Sequence, residues 1–278
     1  MKNSPVLMSR PLISIITVNF NDLEGLKRTF KSVFNQTWKE FEYIVIDGGS
    51  NDGSAELISS QGSSINYWIS EPDSGIYNAM NKGIKVAKGE YLLFLNSGDW
   101  LFDNIVLDKV ADKLSGYDVL YGNMVKVFSD GKQHFDKGIN GNEITFKTFA
   151  EGNLNHQATF ININLFDKYG LYDETIGIVS DWKFFLIALG MNNAKVKYLN
   201  TEISFFDMSG LSSDYKARDE ERMKVLKEEI PFPIYRDYLN LKEQEATLNS
   251  PRIKKFIKTD NNRISKRLHS VIFRIFFK

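Results

Sequence analysis

The sequence contains no cysteine, only three histidines, and no apolar run approaching the roughly 20 residues of a membrane-spanning helix. Without cysteine, disulfides, thiolate–metal sites and cysteine nucleophiles are excluded, and a reducing compartment is compatible with the chain. The first apolar run, Leu12 to Val18, is too short for the core of a secretory signal. We therefore expect no signal peptide, and a protein that is soluble or lies on a membrane surface.

Charge is unevenly distributed along the chain, although the formal net charge is zero. Residues 252–278 carry nine Lys or Arg and one Asp, a local charge of 9 − 1 = +8, so residues 1–251 sum to −8. Hydrophobic residues make up 42% of the 278 residues, enough for one large α/β domain with an appendage. The basic end is therefore expected to have a partner of its own.

Hydrophobic periodicity in the first hundred residues predicts alternating strands and helices. Predicted strands span 12–18, 41–46, 65–69 and 91–95, and predicted helices span 23–35, 55–60 and 76–87. Such alternation is typical of a mostly parallel, doubly wound sheet, in which ligands bind beyond the carboxyl ends of the strands. Polar clusters follow Val18, Ile46 and Leu95, so we expect one crevice to collect them.

The second half of the chain has a less regular pattern. It predicts a strand pair at 119–128 and 134–135, a strand at 158–163, and helices at 165–169 and 182–189.

The run Asp47-Gly-Gly-Ser-Asn-Asp-Gly-Ser54 lies between a predicted strand and a predicted helix. A carboxylate at a strand end can accept hydrogen bonds from a base or a ribose, and glycines let the backbone approach a flat ligand. The same run also fits a tight turn in which Asp52 or Ser50 caps the following helix. It matches neither the dinucleotide fingerprint nor a phosphate loop, which disfavours a dehydrogenase.

The run Asn96-Ser-Gly-Asp99 ends the predicted strand at 91–95. A carboxylate in this place suits Mg²⁺ or Mn²⁺, which recruit substrate phosphates and waters for their remaining positions. The alternative is that Asp99 caps a helix that begins at Trp100.

Four motifs in this order resemble the family-two inverting glycosyltransferases of GT-A fold. They are Ile13-Ser-Ile-Ile-Thr-Val-Asn-Phe-Asn21, Asp47–Ser54, Glu71-Pro-Asp-Ser-Gly-Ile-Tyr-Asn-Ala-Met-Asn-Lys-Gly83 and Gly89–Asp99. With Ser180-Asp181, they are most similar to bacterial exopolysaccharide enzymes of the colanic-acid fucosyltransferase kind. The resemblance implies a Rossmann-like, mostly parallel twisted sheet flanked by helices in residues 1–215. Residues 216–278 would form a helical extension that ends in a basic amphipathic tail.

The resemblance also implies a donor site for a nucleoside-diphosphate sugar. Thr17, Asn19 and Asp47 would hold the nucleoside, and Asp73, Asn78, Asn81, Lys82 and Ser97 would line the rest of the donor pocket. Asp99 would bridge Mn²⁺ or Mg²⁺ to the diphosphate.

Three departures from the family pattern affect this donor site. Asn96 and Gly98 stand where many relatives have aspartates, which implies a less charged metal site. Met80 replaces an arginine, so Lys82 or the metal would have to neutralise the diphosphate. Gly48 replaces a common second aspartate.

Asp181 matches the family's general base, which takes the proton of the attacking acceptor hydroxyl. A residue that caps the helix, Ser180 or Asp181, is the alternative. His156, Gln157, Ser180 and Trp182 would be donor or acceptor contacts, or structural residues. The segment 207–213 would be a loop closing over the donor phosphates, or a plain surface loop.

The last residues predict a basic amphipathic helix. Ile264, Leu268, Val271 and Ile275 recur at helical spacing among arginines and lysines, with Phe273 and Phe277 widening the apolar surface. This pattern favours an anionic membrane surface over packing on the domain or on a homodimer partner. A polyprenyl-diphosphate-linked acceptor would place the enzyme on the cytoplasmic face of the plasma membrane.

The sequence therefore predicts a metal-dependent glycosyltransferase that acts on a glycan or lipid-linked glycan, without a nucleic-acid partner. UDP is the expected nucleotide of the donor. GDP is the alternative, which the fucosyltransferase likeness suggests. The alternatives are a nucleotidyltransferase, which would need a Gly-rich basic loop near the first strand, and a non-catalytic nucleotide- or sugar-binding module.

Overall fold

The computed structural model describes residues 11–208 and 215–276. Most of the predicted closing loop at 207–213 lies outside these residues, as does Phe277 of the tail. The chain divides into two compact units, residues 1–222 and 223–278. The predicted domain limits at 215 and 216 stay predictions.

Within the described residues, nine strands form one mixed sheet in the order β3-β2-β1-β4-β8-β6-β9-β5, with β7 paired to β6. The strands are β1 Ile13–Asn19, β2 Phe41–Asp47, β3 Tyr67–Ser70, β4 Tyr91–Phe94, β5 Trp100–Leu101, β6 Val119–Val127, β7 Gln133–Asp136, β8 Thr159–Asn162 and β9 Val196–Asp207.

The four strands at the amino-terminal end of the sheet are all parallel, as predicted. Their register places Asn19 beside Asp47, and Asp47 beside Ser70, so polar side chains at the strand ends meet at one edge. Strands β1 and β2 are buried on both faces, which explains their continuous apolar sequences. The predicted crevice therefore has a structural basis.

The rest of the sheet is less uniform. Strands β8 and β5 pair antiparallel with their neighbours, as does the β6–β7 hairpin, whereas β6 and β9 run parallel. Strand β9 was not predicted, because its mixed polar and apolar residues give no clear alternation. Its carboxyl end places Asp207 at the same edge as Asp99, across a hydrogen bond of 3.2 Å.

Eleven α-helices lie in the described residues. They are α1 Leu23–Phe34, α2 Ser54–Ser60, α3 Ile76–Val86, α4 Val106–Ala111, α5 Phe146–Glu151, α6 Asn164–Tyr169, α7 Ser180–Phe185, α8 Tyr215–Glu229, α9 Phe232–Leu248, α10 Pro251–Asp260 and α11 Arg263–Phe276. Helix α1 packs Leu26, Phe30 and Val33 into the main core. Helix α3 packs so closely on β1 that a Cβ at Gly83 would lie 2.6 Å from Ile16.

The helix predicted at 182–189 has a different form. It is α-helical at Ser180–Phe185 and π-helical at Leu186–Met191, a change that periodicity does not reveal.

The second compact unit contains α9, α10 and α11. Phe256 of α10 stacks on His269 at 4.5 Å and meets Phe273 edge-on at 5.8 Å, both between ring centroids. In residues 11–208 and 215–276, no helix has the length and apolarity needed to cross a bilayer.

Candidate active site

Asp47 is the centre of a hydrogen-bond cluster at the end of β2. Its Oδ1 accepts from Asn19 Nδ2 and from Ser50 Oγ, both at 2.6 Å. Its Oδ2 accepts from the Ser50 amide at 2.9 Å and from Ser70 Oγ at 2.6 Å. Burial raises the pKa of this carboxyl, but these donors outweigh burial and lower the pKa below its ordinary value. Asp47 is thus an ionised side chain that organises the loops around it.

Thr17 and Asn19, the other predicted nucleoside contacts, are also buried. Thr17 Oγ1 lies 2.7 Å from the Leu95 carbonyl and 2.9 Å from the Tyr43 hydroxyl. Asn19 Oδ1 has no hydrogen-bond partner among the described residues. Of these two side chains, Asn19 alone keeps an unused acceptor, and the nucleoside roles of both remain predictions.

Phe20, Gly48 and Asp73 form an open surface beside this cluster. The Phe20 side chain is 66% exposed although it is aromatic. A Cβ at Gly48 would lie 2.6 Å from Asp73 Oδ2 and 3.1 Å from the Phe20 ring. A side chain at the position of the family's second aspartate would therefore collide with Asp73 and Phe20, and glycine avoids this collision.

The donor-pocket residues predicted on α3 are held by protein groups. Asn78 and Asn81 donate to the Glu174 carboxylate at 2.8 and 2.9 Å. Lys82 pairs with Glu71 at 2.8 Å. These contacts fix the loops beside the crevice. The Lys82 ammonium already has a carboxylate partner in this structure.

Asp99 lies in a tight turn at the end of β4, and strand β5 follows it, so the helix-cap alternative is wrong. The turn needs Gly98, whose φ of +91° is strained for an aspartate. Asp99 is 4% exposed, and its Oδ1 accepts from the Asp207 amide. Burial raises the pKa of Asp99 to about 7; attraction to His156 opposes this effect, and the Asp207 charge adds to it. Ser97 in the same turn donates its amide to the Val18 carbonyl at 3.0 Å.

Asp181 lies in the first turn of α7, where Val179 is the cap residue and no side chain caps the helix. The cap alternative for Ser180 or Asp181 is therefore wrong. Asp181 Oδ1 lies 2.9 Å from the Tyr77 hydroxyl, and Oδ2 lies 2.8 Å from His156 Nδ1. Burial raises the pKa of Asp181, but His156 and Tyr77 together lower it below its ordinary value. This carboxylate stays ionised, as a proton acceptor must.

His156 connects Asp181 to the Asp99 turn. Its Nε2 lies 3.4 Å from Asn96 Nδ2, at the opposite side of the ring from Asp181. Burial lowers the pKa of His156, but Asp181 and Asp99 raise it above the ordinary value. Gln157 is buried and interacts with the Asp99 carboxylate. The structure thus brings the two predicted key carboxylates into one connected cluster.

Trp182 and Ser180 are buried next to Asp181. Trp182 is fully buried, and its Nε1 donates to the carbonyls of Phe149 and Gly152 at 2.7 and 3.0 Å. Ser180 Oγ has no partner among the described residues. Trp182 therefore supports the site from behind, and a direct ligand contact for either residue remains a prediction.

The metal prediction can be tested on the oxygen donors of this turn. In residues 11–208 and 215–276, no three His, Asp or Glu side chains form a metal cluster. However, Asn96 Oδ1 is buried without a partner in the same turn as Asp99. One carboxylate and one amide oxygen fit Mg²⁺ or Mn²⁺, which take few protein ligands and keep positions for phosphates and waters.

Sequence reasoning missed several residues of this site. Tyr77 lies within a motif but received no role of its own, and Glu174 and Arg222 lie in segments without a clear pattern. Asp207 was expected only as part of a closing loop, and Phe20 received no role within the polar cluster after Val18. The available signal for Phe20 was an aromatic residue directly after a predicted buried strand.

Comparison with known proteins identifies the family of this chain. Residues 14–167, more than half of the chain, match the domain Glycosyl transferase family 2. An uncharacterized glycosyltransferase of Mycobacterium tuberculosis is 35% identical over 237 residues, covering 81% of this chain and 88% of the relative. A PGL/p-HBAD biosynthesis glycosyltransferase of Mycobacterium bovis is 27% identical over 226 residues, covering 79% and 85%.

Solved structures agree on the fold. Staphylococcus aureus TarS in complex with UDP-GlcNAc has a TM-score of 0.63 at 17% identity, covering 77% of this chain and 65% of TarS 1–349. The mannosyltransferase PcManGT of Pyrobaculum calidifontis, in complex with GDP-Man and Mn²⁺, has a TM-score of 0.58 at 12% identity, covering 98% and 89%. The predicted GT-A fold and glycosyltransferase activity are confirmed. The chain belongs to glycosyltransferase family 2.

Proposed function

We propose that this chain is an inverting, metal-dependent enzyme of bacterial surface polysaccharide synthesis. It transfers a sugar from a nucleoside-diphosphate sugar to a glycan or lipid-linked glycan. The observation that carries the proposal is the Asp181 carboxylate, held between Tyr77 and His156 and linked through His156 to the Asp99 turn. A proton acceptor and a candidate metal ligand thus share one cluster at the carboxyl ends of the strands.

Asp181 would act as the general base. The acceptor hydroxyl attacks the anomeric carbon as the bond from that carbon to the diphosphate oxygen breaks, and its proton passes to the Asp181 carboxylate. The hydrogen bonds from Tyr77 and His156 fix the carboxylate and keep it ionised before the reaction. Tyr77 stays protonated, since burial and the charge of Asp181 raise its pKa well above the ordinary value.

Asp99, with Asn96 Oδ1, would hold Mn²⁺ or Mg²⁺. When bound, such an ion stabilises the negative charge that develops on the leaving diphosphate. The protein residues keep water away from this region, since Asp99, Gln157 and Asp181 are all buried. Such exclusion would limit hydrolysis of the donor.

The nucleotide would lie on the surface formed by Phe20, Gly48 and Asp73. Phe20 offers a ring for stacking on the base, and Gly48 lets Phe20 and Asp73 lie close together. We propose UDP as the nucleotide and keep GDP as the alternative. Similar folds were solved with UDP-GlcNAc and with GDP-Man, so both nucleotides are compatible with this architecture.

Replacing Phe20 by Ala is expected to weaken nucleoside diphosphate binding by about tenfold, because base–aromatic stacking contributes about 1–3 kcal/mol. Titration calorimetry with UDP and GDP measures the change, and Phe20→Tyr should restore it. Phe135→Ala, which removes another exposed aromatic side chain, serves as the control. Equal affinities for wild type and Phe20→Ala would show that the nucleotide base does not bind on this surface.

Transfer itself is tested with a panel of UDP- and GDP-sugars and Mn²⁺. We expect release of nucleoside diphosphate from one base class only, and NMR should find the released or transferred sugar with inverted anomeric configuration. Retained configuration would contradict the inverting mechanism, and no release from any donor would contradict the donor class.

The carboxy-terminal helices would hold the enzyme on the cytoplasmic face of the plasma membrane. Ile264, Leu268, Val271 and Ile275 of α11 are 54–73% exposed and follow helical spacing along one side. Basic residues of α11 border this apolar side, and each contributes about 1 kcal/mol near an anionic surface. This combination supports a peripheral membrane contact near a polyprenyl-linked acceptor.

Leu268→Asp should greatly reduce co-sedimentation with phosphatidylglycerol vesicles, and deletion of residues 252–278 should abolish it. Ser270→Asp adds the same charge on the polar side of α11 and should reduce binding only slightly. Equal sedimentation of all variants would contradict the membrane contact. Concentration-dependent dimerisation that is lost in Leu268→Asp would instead assign the apolar side to a second copy.

A further inference from the structure

Arg222 of α8 lies near the candidate base, and its guanidinium has no hydrogen-bond or ion-pair partner within the described part of the chain. Its Nε is buried and has no hydrogen-bond partner, and its other nitrogens make no hydrogen bond or ion pair within the described part of the chain. By contrast, Arg218, one turn earlier on the same helix, pairs with Asp219 at 2.8 Å. A buried donor without a partner is costly, so Arg222 requires an explanation.

The position of Arg222 is fixed by its neighbours. The guanidinium carbon lies 5.1 Å from the centre of the Trp182 ring. The adjacent Glu221 accepts from the amides of Gly177 and Ile178 at 3.0 and 2.8 Å, which ties this turn of α8 to the segment before Asp181. Arg222 is therefore held against Trp182, next to Asp181, rather than on a free surface.

The charges around Arg222 do not satisfy it. Asp181 and Asp219 attract the guanidinium without pairing with it, and Arg218 repels it. Asp181 already accepts from Tyr77 and His156. Within residues 11–208 and 215–276, no acidic side chain pairs with Arg222, and an anion supplied by a ligand would satisfy the guanidinium.

A substrate phosphate is the anion that this chemistry fits best. The guanidinium can donate two parallel hydrogen bonds to phosphate oxygens. The arginine expected near the diphosphate is Met80 in this chain, and Lys82 is paired with Glu71. Arg222 is a side-chain cation for the phosphate in addition to the metal that Asp99 would hold.

We propose that Arg222 forms an anion subsite for a phosphate or diphosphate group of a substrate. This inference rests on the proposed transferase function. The group belongs either to the nucleotide donor or to a polyprenyl-linked acceptor, and the two sources are distinguishable by experiment.

The test is titration calorimetry on the full chain with Mn²⁺. UDP, GDP and uridine probe the donor side, and farnesyl diphosphate and farnesol probe the acceptor side. Arg222→Gln should weaken binding of the diphosphates of one side by about tenfold or more, with uridine and farnesol unaffected. Arg222→Lys should lose less, and Arg218→Gln serves as the matched control.

Loss of affinity for UDP or GDP assigns the subsite to the donor, and loss for farnesyl diphosphate assigns it to the acceptor. If Arg222→Gln binds all three diphosphates as tightly as the wild type does, the subsite is overturned, while the transferase function stands. No binding of any diphosphate to the wild type overturns both.

A second measurement does not depend on a folded variant. In the wild type, pyrophosphate should slow modification of Arg222 by phenylglyoxal at least several-fold, measured by mass spectrometry of the peptide that contains it. Arg236, which is exposed on α9, should react at an unchanged rate. Equal reaction of Arg222 with and without pyrophosphate would count against the subsite.

Discussion

Replacement of Asp181 by Asn should lower the rate of sugar transfer about 10²–10⁴-fold and leave nucleotide affinity within about twofold. The amide has nearly the shape of the carboxylate but cannot take the acceptor proton. It also cannot accept from both Tyr77 and His156 through two equivalent oxygens. The expected signature is a loss in kcat with little change in the KM of the donor.

Asp167→Asn, an exposed change on α6, is the matched control for this substitution. Circular dichroism and thermal unfolding establish that both variants fold. A near-normal turnover rate of Asp181→Asn would exclude Asp181 as the base. A parallel loss of UDP and GDP binding would instead make its role structural.

Replacement of Asp99 by Asn should separate stability from metal binding. We expect UDP or GDP binding to lose its dependence on Mn²⁺, because the amide oxygen carries no charge for the ion. In EDTA, the same variant should be more stable than the wild type by about 1–3 kcal/mol at pH 8. Metal titrations and urea denaturation measure the two effects.

The pH dependence of this stability difference has a defined sign. The ordinary pKa of Asp is 3.8, and burial raises that of Asp99 to about 7. The folded wild type resists ionisation of this carboxyl, so it loses stability as pH rises from 3.8 towards about 7. The advantage of Asp99→Asn should therefore grow through this window and level off above it.

Asp112→Asn, an exposed change at the end of α4, should show neither effect and is the control. Unchanged Mn²⁺ dependence in Asp99→Asn would remove Asp99 from the metal site. Lower stability of the variant at pH 8 would show that Asp99 contributes more through its hydrogen bonds than burial of its charge costs.

The amino-terminal half of the fold was predictable because three of its four strands, β1, β2 and β4, are buried almost throughout. Continuous runs such as Leu12–Val18 and Tyr91–Leu95 have no other stable environment, and the turns between them carry glycine and aspartate. Local pattern therefore determined the parallel order of β1 to β4. Strand β9 was missed because its mixed sequence, VKYLNTEISFFD, shows neither a continuous apolar run nor a clear alternation.

The candidate site was predictable in its carboxylates but not in their partners. Asp47 and Asp99 come at or after the ends of buried strands, and that position identifies them in sequence, whereas Asp181 was identified by its resemblance to the family's base. The hydrogen bonds of Tyr77 and His156 to Asp181 span 104 and 25 positions of the sequence. Arg222 lies on α8, a helix without a periodic apolar pattern. Only the folded chain brings these groups together.

The fold also changes how the predicted donor residues are interpreted. Asn78, Asn81 and Lys82 lie on one helix, and the family resemblance assigned them to the donor pocket. In the structure, Asn78 and Asn81 donate hydrogen bonds to Glu174, and Lys82 forms an ion pair with Glu71. Spacing reveals a shared face, but it does not reveal whether protein or ligand groups meet that face.

Titration calorimetry of UDP and GDP, each with and without Mn²⁺, tests the central claim most directly. The account predicts that one nucleoside diphosphate binds tightly and that binding weakens strongly when Mn²⁺ is removed with EDTA. Binding of neither nucleotide in the presence of Mn²⁺ would contradict the account.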